Sequence, residues 1–415
     1  MKILIVGSGA REHGCAWALK KDNDVELFIA PGNAGMEDVG NIVPIKVNEF
    51  SKLVDFAKEN KIDLTICIMD EPLVMGIVDY FEEAELKIYG PNKAAAIIEG
   101  SKAFSKKFMQ KYEIPTAKYE TFSHFDEALE YAKANSFPIV IKADGLAAGK
   151  GVIICANLPE AEEALKEMFI NKKFGLSGSK VVIEEFLTGE ECSILAFCDG
   201  KNIIPMPVAK DHKQIYDGGK GANTGGMGVF SPVLNYSKEI ADICMKNIFE
   251  PPLKGLKSEN RGFRGVLFFG LMLTADGPKV IEYNCRPGDP EFQTLLLTLE
   301  TNLLDIILAS LDKKLDKIEV KWKNKYTVCV VAASEGYPAE YQTGFEIDAP
   351  NDLDKDIKIF YAGATKKDNK LVTNGGRVLN VIATGNSLEE AREKAYITIS
   401  KIGFTGIYYR KDIGA

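Results

Sequence analysis

Three polar side chains stand at alternating positions, 282, 284 and 286, in the stretch VIEYNCRPGDPEFQ at residues 280–293. The stretch begins with β-forming residues and ends at a proline and glycine turn, which predicts a strand. Because successive side chains of a strand point to opposite faces, Glu282, Asn284 and Arg286 would lie in one row. Magnesium prefers oxygen ligands and commonly takes one or two protein side chains together with substrate phosphates, so Glu282 and Asn284 are candidate metal ligands. Arg286 could grip a carboxylate or a phosphate with two hydrogen bonds. The simpler explanation is a half-exposed strand with one polar face.

A second candidate is the run of small residues KADGLAAGKGV at residues 142–152, between two predicted strands. Its backbone N–H groups could approach phosphate oxygens closely, and Lys142 and Lys150 are candidate phosphate cations. The run is not a Walker A loop, because no G-x-x-x-x-G-K-[ST] pattern precedes a helix. A plain hairpin would not need so many small residues, so a flap that covers phosphates is favoured over a simple turn.

A candidate hinge lies in VVIEEFLTGEECSIL, residues 181–195. One strand stops at Glu184 and Glu185, and another begins after Gly189. An ordinary strand–turn–strand with solvated acids explains this pattern, and so does a hinge between two lobes. Its position about thirty residues after the flap favours the hinge.

A glycine-rich segment, AKDHKQIYDGGKGANTGGMGVF at residues 209–230, is predicted to be a long loop. Loops of this length are usually functional or disordered. The segment carries Asp211, His212 and Lys213 in a row. A lone His212 is more typical of a surface histidine than of a catalyst, so the chemistry of the loop stays open at this point.

The elements that must position these residues begin with a doubly wound α/β unit over residues 1 to about 100. Short apolar runs that end in glycine or proline alternate there with helical stretches, which predicts a parallel sheet covered by helices. The opening GSGARE has the tight glycines of a Rossmann turn, but Glu12 stands where G-x-G-x-x-G needs its third glycine. The second strand also lacks the ribose-binding acid at its end, so an NAD-dependent dehydrogenase is disfavoured. A purely structural turn and a phosphate contact are equally compatible with this pattern.

The rest of the chain changes character twice. Residues 102–190 interleave strands, helices and hairpins, which predicts an α+β lobe, and residues 191–320 continue with strands and the glycine-rich loop. The last ninety residues carry short strands and one helix. A chain of 415 residues is too long for one ordinary core, so several domains are expected.

Composition narrows the class of protein. An apolar content of 46% and a charged content of 27% are typical of a soluble globular protein. The net charge of −8 argues against a general nucleic-acid binder, and no apolar run is long enough for a signal peptide or a membrane helix. Eight scattered cysteines without a C-x-x-C pair and three isolated histidines argue against disulfides and a zinc site. We therefore expect a cytoplasmic protein with reduced thiols.

Taken together, the motifs resemble those of the ATP-grasp enzymes and, in detail, those of the phosphoribosylamine–glycine ligase (glycinamide ribonucleotide synthetase) family. The resemblance spans essentially the whole chain and rests on an ordered set of motifs: VGSGAREH, APGNAG, EGSKAF, IPTA, IVIKADGLAAGKGVI, IEEFLTGEE, DHK, NTGGMG, NCRPGDPE, TNGGRVL and YYRKDIG. It implies a multidomain α/β and α+β fold. The expected parts are a Rossmann-like N-terminal domain at 1–101, an ATP-grasp domain at 102–323 with a mobile nucleotide-covering lobe at about 117–190, and a small α+β C-terminal domain at 324–415.

The resemblance also implies an activity. ATP, glycine and 5-phosphoribosylamine would give glycinamide ribonucleotide, ADP and phosphate through a glycyl phosphate intermediate, in purine synthesis. Mg²⁺ or Mn²⁺ would be required. The implied partners are these small molecules, without nucleic acid or membrane, and the implied state is a monomer.

Site residues are carried over by position. The implied ATP-binding residues are Lys102, Lys142, Gly145, Gly149, Lys150, Gly151, Glu184, Glu185, Leu187 and Glu191. Glu282 and Asn284 would bind the metal. Asp211 and Arg286 would orient the ammonium and carboxylate of glycine and, with Lys213, form the catalytic set. The residues implied for phosphoribosylamine are Gly9, Gly32, Asn33 and Asp70.

Three positions depart from related enzymes. Gly270 stands where many ATP-grasp enzymes place a further metal carboxylate, IMDEPL at 68–73 replaces the family's G-P-E-x-P-L, and Gln214 replaces an arginine that often follows DHK. Another ATP-grasp carboxylate–amine ligase or carboxylase is the alternative within the fold, although DHK and NCRPGDPE argue against it. A noncatalytic nucleotide-binding regulator would predict loss of the polar row, which is intact.

Overall fold

The N-terminal sheet and its helices form in the first hundred residues of the computed structural model, which describes residues 1–147 and 151–415. The elements are β1 Lys2–Gly7, α1 Ala10–Lys21, β2 Glu26–Pro31, β3 Asn41–Ile42, α2 Phe50–Glu59, β4 Leu64–Cys67, α3 Asp70–Met75, α4 Ile77–Glu83, β5 Ile88–Tyr89 and α5 Lys93–Gly100. The strand order is β3-β2-β1-β4-β5, and every neighbouring pair is parallel. The predicted doubly wound α/β fold is confirmed. Helices α3 and α4 are separated at Gly76, whose φ of 103° lies in the left-handed region that favours glycine.

A separate lobe sheet follows the helix α6, Lys102–Lys111. Its elements are β6 Tyr119–Phe122, α7 Phe125–Ala134, β7 Ile139–Ala143, β8 Val152–Cys155, α8 Leu158–Phe169 and β9 Val181–Glu185. The four strands are antiparallel in the order β6-β9-β7-β8. The two helices bury alanine and leucine side chains against the sheet and form a core of their own.

The central sheet carries the predicted polar row. Its strands are β10 Glu190–Asp199, β11 Ile203–Pro205, β16 Arg264–Thr274 and β17 Gly277–Asn284, in the order β11-β10-β16-β17. The helices of this part are α9 Lys238–Cys244, α10 Glu250–Ser258, α11 Glu291–Leu296 and α12 Leu303–Leu311. Because β9 belongs to the lobe sheet and β10 to the central sheet, residues 186–189 connect two separate sheets, as expected of a hinge.

The segment at 209–230 is not the long loop that the sequence predicted. It contains β12 Lys210–Asp211, β13 Gln214–Tyr216, β14 Lys220–Asn223 and β15 Gly228–Ser231. β13 and β14 form a hairpin whose turn holds Gly218 and Gly219 at positive φ. β15 pairs with a strand that begins about a hundred residues later in the sequence, so local composition could not reveal it.

The C-terminal sheet therefore contains strands from two regions of the chain. Its own elements are β18 Tyr326–Ser334, β19 Ile357–Tyr361, β20 Ala364–Lys367, β21 Lys370–Thr373, β22 Arg377–Gly385, α13 Leu388–Ile399 and β23 Ile407–Tyr408. The order β12-β15-β18-β22-β19 joins β12 and β15 to this sheet, β23 pairs with β18, and β20 and β21 form a separate hairpin. α13 packs on β18 and β22.

The first and last parts of the chain also contact each other directly. Tyr361 N donates to His13 Nδ1 (3.0 Å), and Trp17 packs on Phe360 with ring centroids 5.8 Å apart. Asn33 Nδ2 donates to the carbonyl oxygen of Tyr361 (3.0 Å). Across the two described ranges, no helix is long and apolar enough to cross a bilayer.

Candidate active site

A cavity of about 580 Å³ lies between the lobe sheet and the central sheet. Asp70 lines it from the N-terminal part, Lys142 from the lobe, Glu282 from the central sheet and Arg377 from the C-terminal part. All four parts of the fold therefore contribute to one site.

The polar row predicted on β17 faces this cavity. Glu282 and Asn284 lie on the strand, Arg286 follows its end, and all three line the cavity wall. The simpler explanation, a half-exposed strand with one polar face, is therefore wrong. The polar side chains of this strand face one shared cavity.

A β-bulge shapes this strand. Gly270 of β16 pairs with Glu282, whereas the next residue of β16 pairs with Val280 and leaves Ile281 without a partner. The carbonyl oxygen of Ile281 accepts a hydrogen bond from Lys142 Nζ (3.1 Å). A Cβ atom on Gly270 would lie 3.1 Å from Cγ of Glu282, so a glycine leaves the room that the Glu282 side chain uses. The bulge thus turns backbone as well as side chains toward the cavity.

Glu282 and Asn284 fit a divalent metal by the chemistry of their donor atoms. Burial alone would raise the pKa of Glu282, but the charges of Lys213 and other nearby cations lower it below its usual value, so the carboxylate is ionised. Asn284 donates through Nδ2 to Glu99 Oε1 (2.9 Å), which leaves Oδ1 for a ligand. Within residues 1–147 and 151–415, no group of three His, Cys, Asp or Glu side chains is assembled that could hold a metal. Substrate phosphates would have to supply the remaining ligands.

Lys213 lies between two carboxylates of the cavity. Its Nζ is 2.5 Å from Glu191 Oε1 and 3.5 Å from Glu282 Oε1. Burial would lower the pKa of Lys213, but the charges of Glu191, Glu282 and Asp211 raise it well above its ordinary value. Lys213 therefore stays cationic at neutral pH, where it can neutralise phosphate charge but cannot act as a general base.

Two further lysines approach the same space from the lobe side. Lys142 Nζ is 2.9 Å from Glu184 Oε1, besides its hydrogen bond to the β17 backbone. Lys102 Nζ donates to the carbonyl oxygen of Gly145 (3.1 Å), at the start of the predicted flap. Burial lowers the pKa of Lys102, the charge of Glu282 opposes this, and the charge of Lys142 adds to it. Two cations and a turn of small residues thus converge where phosphates would be held.

Four of the residues implied for ATP binding line the cavity where β9 ends and β10 begins: Glu184, Glu185, Leu187 and Glu191. The carboxylate of Glu184 is shared by Lys142 and Lys106, each at 2.9 Å, so its side chain is already paired. Ile154 and Phe186 are 49% and 38% exposed and line the same cavity, and they offer apolar surface to a flat base. This end of the cavity therefore has apolar side chains in its wall.

Arg286 is held by two carboxylates from the N-terminal part. Its Nη2 is 3.5 Å from Asp70 Oδ2 and 3.3 Å from Glu99 Oε1, while Glu99 Oε2 accepts the N–H of Cys285 (2.7 Å). Burial alone would raise the pKa of Asp70, but the charges of Arg286 and Arg11 lower it. Nε of Arg286 is buried and has no hydrogen-bond partner in the described part of the chain, so it is available to an anionic ligand.

Asp211 and Glu291 form an acidic recess in the cavity wall. Oδ1 of Asp211 is buried and finds no hydrogen-bond partner among the residues that the structure describes. Burial and the neighbouring charge of Glu291 raise the pKa of Asp211 well above its usual value. A bound ammonium group would supply both the missing hydrogen bond and the opposite charge.

Arg377 and Tyr337 extend the cavity wall from the C-terminal part. Arg377 Nη1 donates to the carbonyl oxygens of Gly225 (2.6 Å) and Asp289 (2.8 Å), and its Nη2 is 3.1 Å from Asp289 Oδ2. The hydroxyl of Tyr337 accepts the N–H of Gly225 (3.1 Å). One guanidinium therefore links the glycine-rich segment to the turn that follows Arg286.

The glycine turn of the N-terminal part is filled by its own helix. Glu12 Oε2 accepts the N–H of Gly9 (2.8 Å), and a Cβ atom on Gly7 would lie 2.5 Å from Cγ of Glu12. The side chain of Glu12 thus fills the space beside this turn, at the position where G-x-G-x-x-G has its third glycine.

The residues predicted for the ribose phosphate lie beside the cavity rather than in its wall. Gly9 is next to the cavity residue Asp289, since a Cβ atom on Gly9 would be 3.5 Å from Asp289 Oδ2. Asn33 Nδ2 donates to two backbone carbonyls (2.8 and 3.0 Å), and Asn33 Oδ1 accepts the N–H of Gly35 (2.8 Å). The role of Gly9, Gly32 and Asn33 stays a prediction.

Most of the predicted residues meet in the cavity. Those that line it are Asp70, Lys102, Lys142, Gly151, Glu184, Glu185, Leu187, Glu191, Asp211, Lys213, Glu282, Asn284 and Arg286. Gly145 contributes its carbonyl oxygen to Lys102. Gly149 and Lys150 lie outside the described residues. The sequence reasoning missed six charged residues of the wall: Arg11, Glu99, Lys106, Asp289, Glu291 and Arg377. Five of them lie within quoted motifs (VGSGAREH, EGSKAF, NCRPGDPE and TNGGRVL), whereas Lys106 lies outside every motif.

Comparison with known families gives matches over nearly the whole chain. The N domain of the phosphoribosylglycinamide synthetase family matches residues 1–99, its ATP-grasp (A) domain matches residues 100–292, and its C domain matches residues 327–415. The phosphoribosylamine–glycine ligase of Caldanaerobacter subterraneus subsp. tengcongensis is 49% identical over 416 aligned residues, with 100% of both chains covered. That of Clostridium acetobutylicum is 48% identical and covers 100% of this chain and 99% of its own.

Solved structures agree. The crystal structure of phosphoribosylamine–glycine ligase from Thermotoga maritima superposes with a TM-score of 0.89 at 37% identity, and 99% of this chain and 100% of that chain are covered. The biotin carboxylase domain of Hydrogenobacter thermophilus 2-oxoglutarate carboxylase superposes with a TM-score of 0.75 at 16% identity, over 98% of this chain and 91% of that chain, and shares the fold alone.

Proposed function

Because the chain belongs to the phosphoribosylglycinamide synthetase family, we propose that it joins glycine to 5-phosphoribosylamine at the expense of ATP, in purine synthesis. The products are glycinamide ribonucleotide, ADP and phosphate. The observation that carries this assignment is the row of Glu282, Asn284 and Arg286 on one cavity wall, with Lys213 opposite. It supplies metal ligands, a carboxylate-binding guanidinium and a fixed cation in one place.

In the first step, a carboxylate oxygen of glycine attacks the γ-phosphorus of ATP, and ADP leaves. Arg286 binds the glycine carboxylate through Nε, which has no partner among the described residues, and Asp211 receives the ammonium in its acidic recess. Lys102, Lys142 and Lys213 neutralise the charge that develops on the phosphoryl oxygens. Catalysis in this step is positioning plus charge neutralisation.

A divalent metal, Mg²⁺ or Mn²⁺, would be held by Glu282 and Asn284 together with phosphate oxygens. When bound, it lowers the negative charge of the transferring phosphoryl group. The ionised carboxylate of Glu282 and the amide oxygen of Asn284 are the hard donors that both metals accept.

In the second step, the amine nitrogen of phosphoribosylamine attacks the carbonyl carbon of glycyl phosphate. Phosphate leaves, and the amine loses a proton as the amide forms. Water would hydrolyse the intermediate, so we propose that the lobe at about 117–190 closes with its flap, Gly145 to Gly151, over the nucleotide. Gly149 and Lys150 of the flap contact the phosphates in this proposal.

We propose that the nucleotide binds near the hinge and the sugar near the N-terminal part. Glu184, Glu185, Leu187 and Glu191 lie at the adenosine end, where the hinge connects the two sheets. Asp70 lines the cavity from the N-terminal part, and Gly9, Gly32 and Asn33 would contact the ribose phosphate.

We propose three working parts, at 1–101, 102–323 and 324–415, that act as a monomer in the cytoplasm without nucleic-acid or membrane partners. The eight cysteines are all buried and unpaired, which supports a reducing compartment. Size-exclusion chromatography with light scattering would test the monomer, since a dimer mass would contradict it.

The decisive experiment follows ADP release with ATP, glycine and freshly formed phosphoribosylamine, each omitted in turn. Turnover requires all three if the proposal holds. ADP release without phosphoribosylamine, or replacement of glycine by bicarbonate, would identify another ATP-grasp ligase or carboxylase instead.

A further inference from the structure

A buried carboxylate in the nucleotide site is held by two lysines rather than one. Glu184 Oε1 lies 2.9 Å from Lys142 Nζ, and Glu184 Oε2 lies 2.9 Å from Lys106 Nζ. The three side chains are only 3–4% exposed. Nothing in the two-step reaction described above uses Lys106.

The three residues come from three different elements. Lys142 lies on β7 and Glu184 on β9, both in the lobe sheet, whereas Lys106 lies on α6, which precedes the lobe. Lys106 Nζ also donates to Thr116 Oγ1 (2.8 Å), and Thr116 Oγ1 donates to the carbonyl oxygen of Val280 on β17 (2.6 Å). Lys106 therefore ties the lobe to the strand that carries Glu282.

The hydrogen bonds of the two lysines distinguish their roles. Lys142 Nζ donates one hydrogen bond, to the carbonyl oxygen of Ile281, and its ion pair with Glu184 Oε1 is not aligned as a hydrogen bond, so N–H groups of Lys142 are left for a phosphate. Lys106 is occupied by Glu184 and Thr116, and its remaining side faces the ring of Tyr119, 5.7 Å away. Lys142 is thus the cation that can bind a phosphate, whereas Lys106 binds Glu184 and Thr116.

Lys106, Lys142 and Glu184 form a charged cluster, and its net charge explains why a second lysine is needed. A Glu184–Lys142 pair alone would be neutral and would attract a phosphate only weakly. With Lys106 the cluster carries one net positive charge in a partly buried site, where charges interact more strongly than in water. Burial, opposed by the charge of Glu184, lowers the pKa of Lys106 to about 8, so Lys106 is cationic at pH 7.

We propose that Lys106 is a positioning residue of the nucleotide site. It neutralises the charge of Glu184, so the charge of Lys142 remains available to the phosphates of ATP. The proposal rests on the assignment of this cavity to ATP. It extends the function by naming a residue that affects nucleotide affinity through Glu184.

The test is the affinity for ATP in excess magnesium, measured by isothermal titration calorimetry on the full-length protein without glycine or phosphoribosylamine. Lys106→Met should weaken ATP binding about tenfold or more, and Lys106→Arg should restore most of it. Lys107→Met is the matched control, because Lys107 is the next residue of α6 and is exposed. In steady-state assays, KM for ATP should rise while KM for glycine changes less than about twofold.

A double variant separates charge from packing. Lys106→Met with Glu184→Gln returns the cluster to one net positive charge, so ATP affinity should recover at least partly relative to Lys106→Met. A purely structural Lys106 predicts a double variant that binds ATP no better than the single one, and that result would overturn the proposal. Unchanged ATP affinity in Lys106→Met would overturn it as well.

The same measurements distinguish this inference from the proposed function. A wild-type protein that binds no ATP would contradict the function itself, whereas a wild-type protein that binds ATP as tightly as its Lys106→Met variant contradicts only the role of Lys106. Circular dichroism and thermal unfolding check the fold of each variant. Lys106→Gln, which keeps a hydrogen-bonding side chain, serves as the neutral variant if Lys106→Met does not fold.

Discussion

Asp70 Oδ2 lies 3.5 Å from Arg286 Nη2 and so joins the N-terminal sheet to the end of the strand that carries Glu282. Asp70 begins α3 directly after β4, and Arg286 follows β17. Glu99 contacts the same Nη2 at 3.3 Å. The guanidinium proposed to bind glycine is thus oriented by two acids from a different part of the fold.

Asp70 is one of the residues implied for phosphoribosylamine, and we predict that Asp70→Asn impairs the use of this substrate. The amide keeps the shape of Asp70 but removes the charge that faces Arg286 and Arg11. We expect KM for phosphoribosylamine to rise about tenfold, the loss typical of one charged contact, while ATP affinity stays within about twofold. Initial-rate kinetics with varied phosphoribosylamine measure the first effect, and calorimetry measures the second.

Glu71→Gln is the matched control for Asp70, because Glu71 is the next residue of α3 and is exposed. It should behave like the wild type. Equal kinetics for Asp70→Asn and Glu71→Gln would remove Asp70 from the site. A large loss of ATP affinity in Asp70→Asn would show that the contact supports the nucleotide end instead.

Glu282→Gln is expected to abolish turnover and leave the fold intact. The amide lacks the charge that a divalent metal requires, and it also removes one carboxylate partner of Lys213. We expect kcat to fall by about 100-fold or more. The gain in ATP affinity that magnesium gives the wild type should also disappear, which calorimetry with and without the metal can measure independently of turnover.

Asp276→Asn, at the exposed turn of the same β16–β17 hairpin, is the control for Glu282→Gln. Wild-type turnover in Glu282→Gln would refute the metal role.

The central row could be predicted from the sequence because it lies within one strand. Glu282, Asn284 and Arg286 are spaced by two, and a period of two is the geometry of a strand. The flap could be predicted because its small residues are close together in the sequence. Local spacing therefore identified the chemical centre of the site.

The supporting residues could not be predicted in this way because their partners are distant in the sequence. Lys106 and Glu184 are separated by about eighty residues, and each looks like an ordinary charged residue of its own element. The bulge that leaves Ile281 unpaired depends on β16, and β15 is a strand only because β18 lies beside it. Tertiary pairing decides such features, and sequence periodicity does not record it.

Arg377 should determine how the C-terminal part shapes the glycine site. Its guanidinium holds the carbonyl oxygen of Gly225 and both the backbone and the side chain of Asp289. Arg377→Met leaves these acceptors unsatisfied, and Arg377→Lys replaces a planar fork by a single point charge. We expect kcat/KM for glycine to fall about tenfold to 100-fold in Arg377→Met and somewhat less in Arg377→Lys. Steady-state kinetics check this.

Lys367→Met provides the comparison for Arg377, since Lys367 is an exposed cation on β20 of the same C-terminal part. Its kinetics should match those of the wild type. If Arg377→Met is as active as Lys367→Met, the C-terminal part does not shape the glycine site.

The contact between the first and last parts of the chain should weaken in acid because of His13. His13 is 3% exposed, and burial, opposed by the hydrogen bond from Tyr361 N, lowers its pKa from 6.5 to about 4. The folded state therefore binds fewer protons than the unfolded state below pH 6.5, so the stabilisation is complete above that pH and is lost as the pH falls toward 4. At pH 5 the loss is about 2 kcal/mol.

His13→Asn keeps an acceptor for Tyr361 N but cannot titrate, so it should reduce the fall in stability between pH 7.5 and pH 5. Urea unfolding followed by the fluorescence of Trp17, which packs on Phe360 in the same contact, measures the effect. His212 has a pKa lowered to about 4 by burial and by the charge of Arg410, so part of the acid sensitivity should persist in His13→Asn. His124→Asn is the control, because His124 is exposed. If the wild type and His13→Asn lose equal stability between the two pH values, burial of a neutral His13 does not govern this contact.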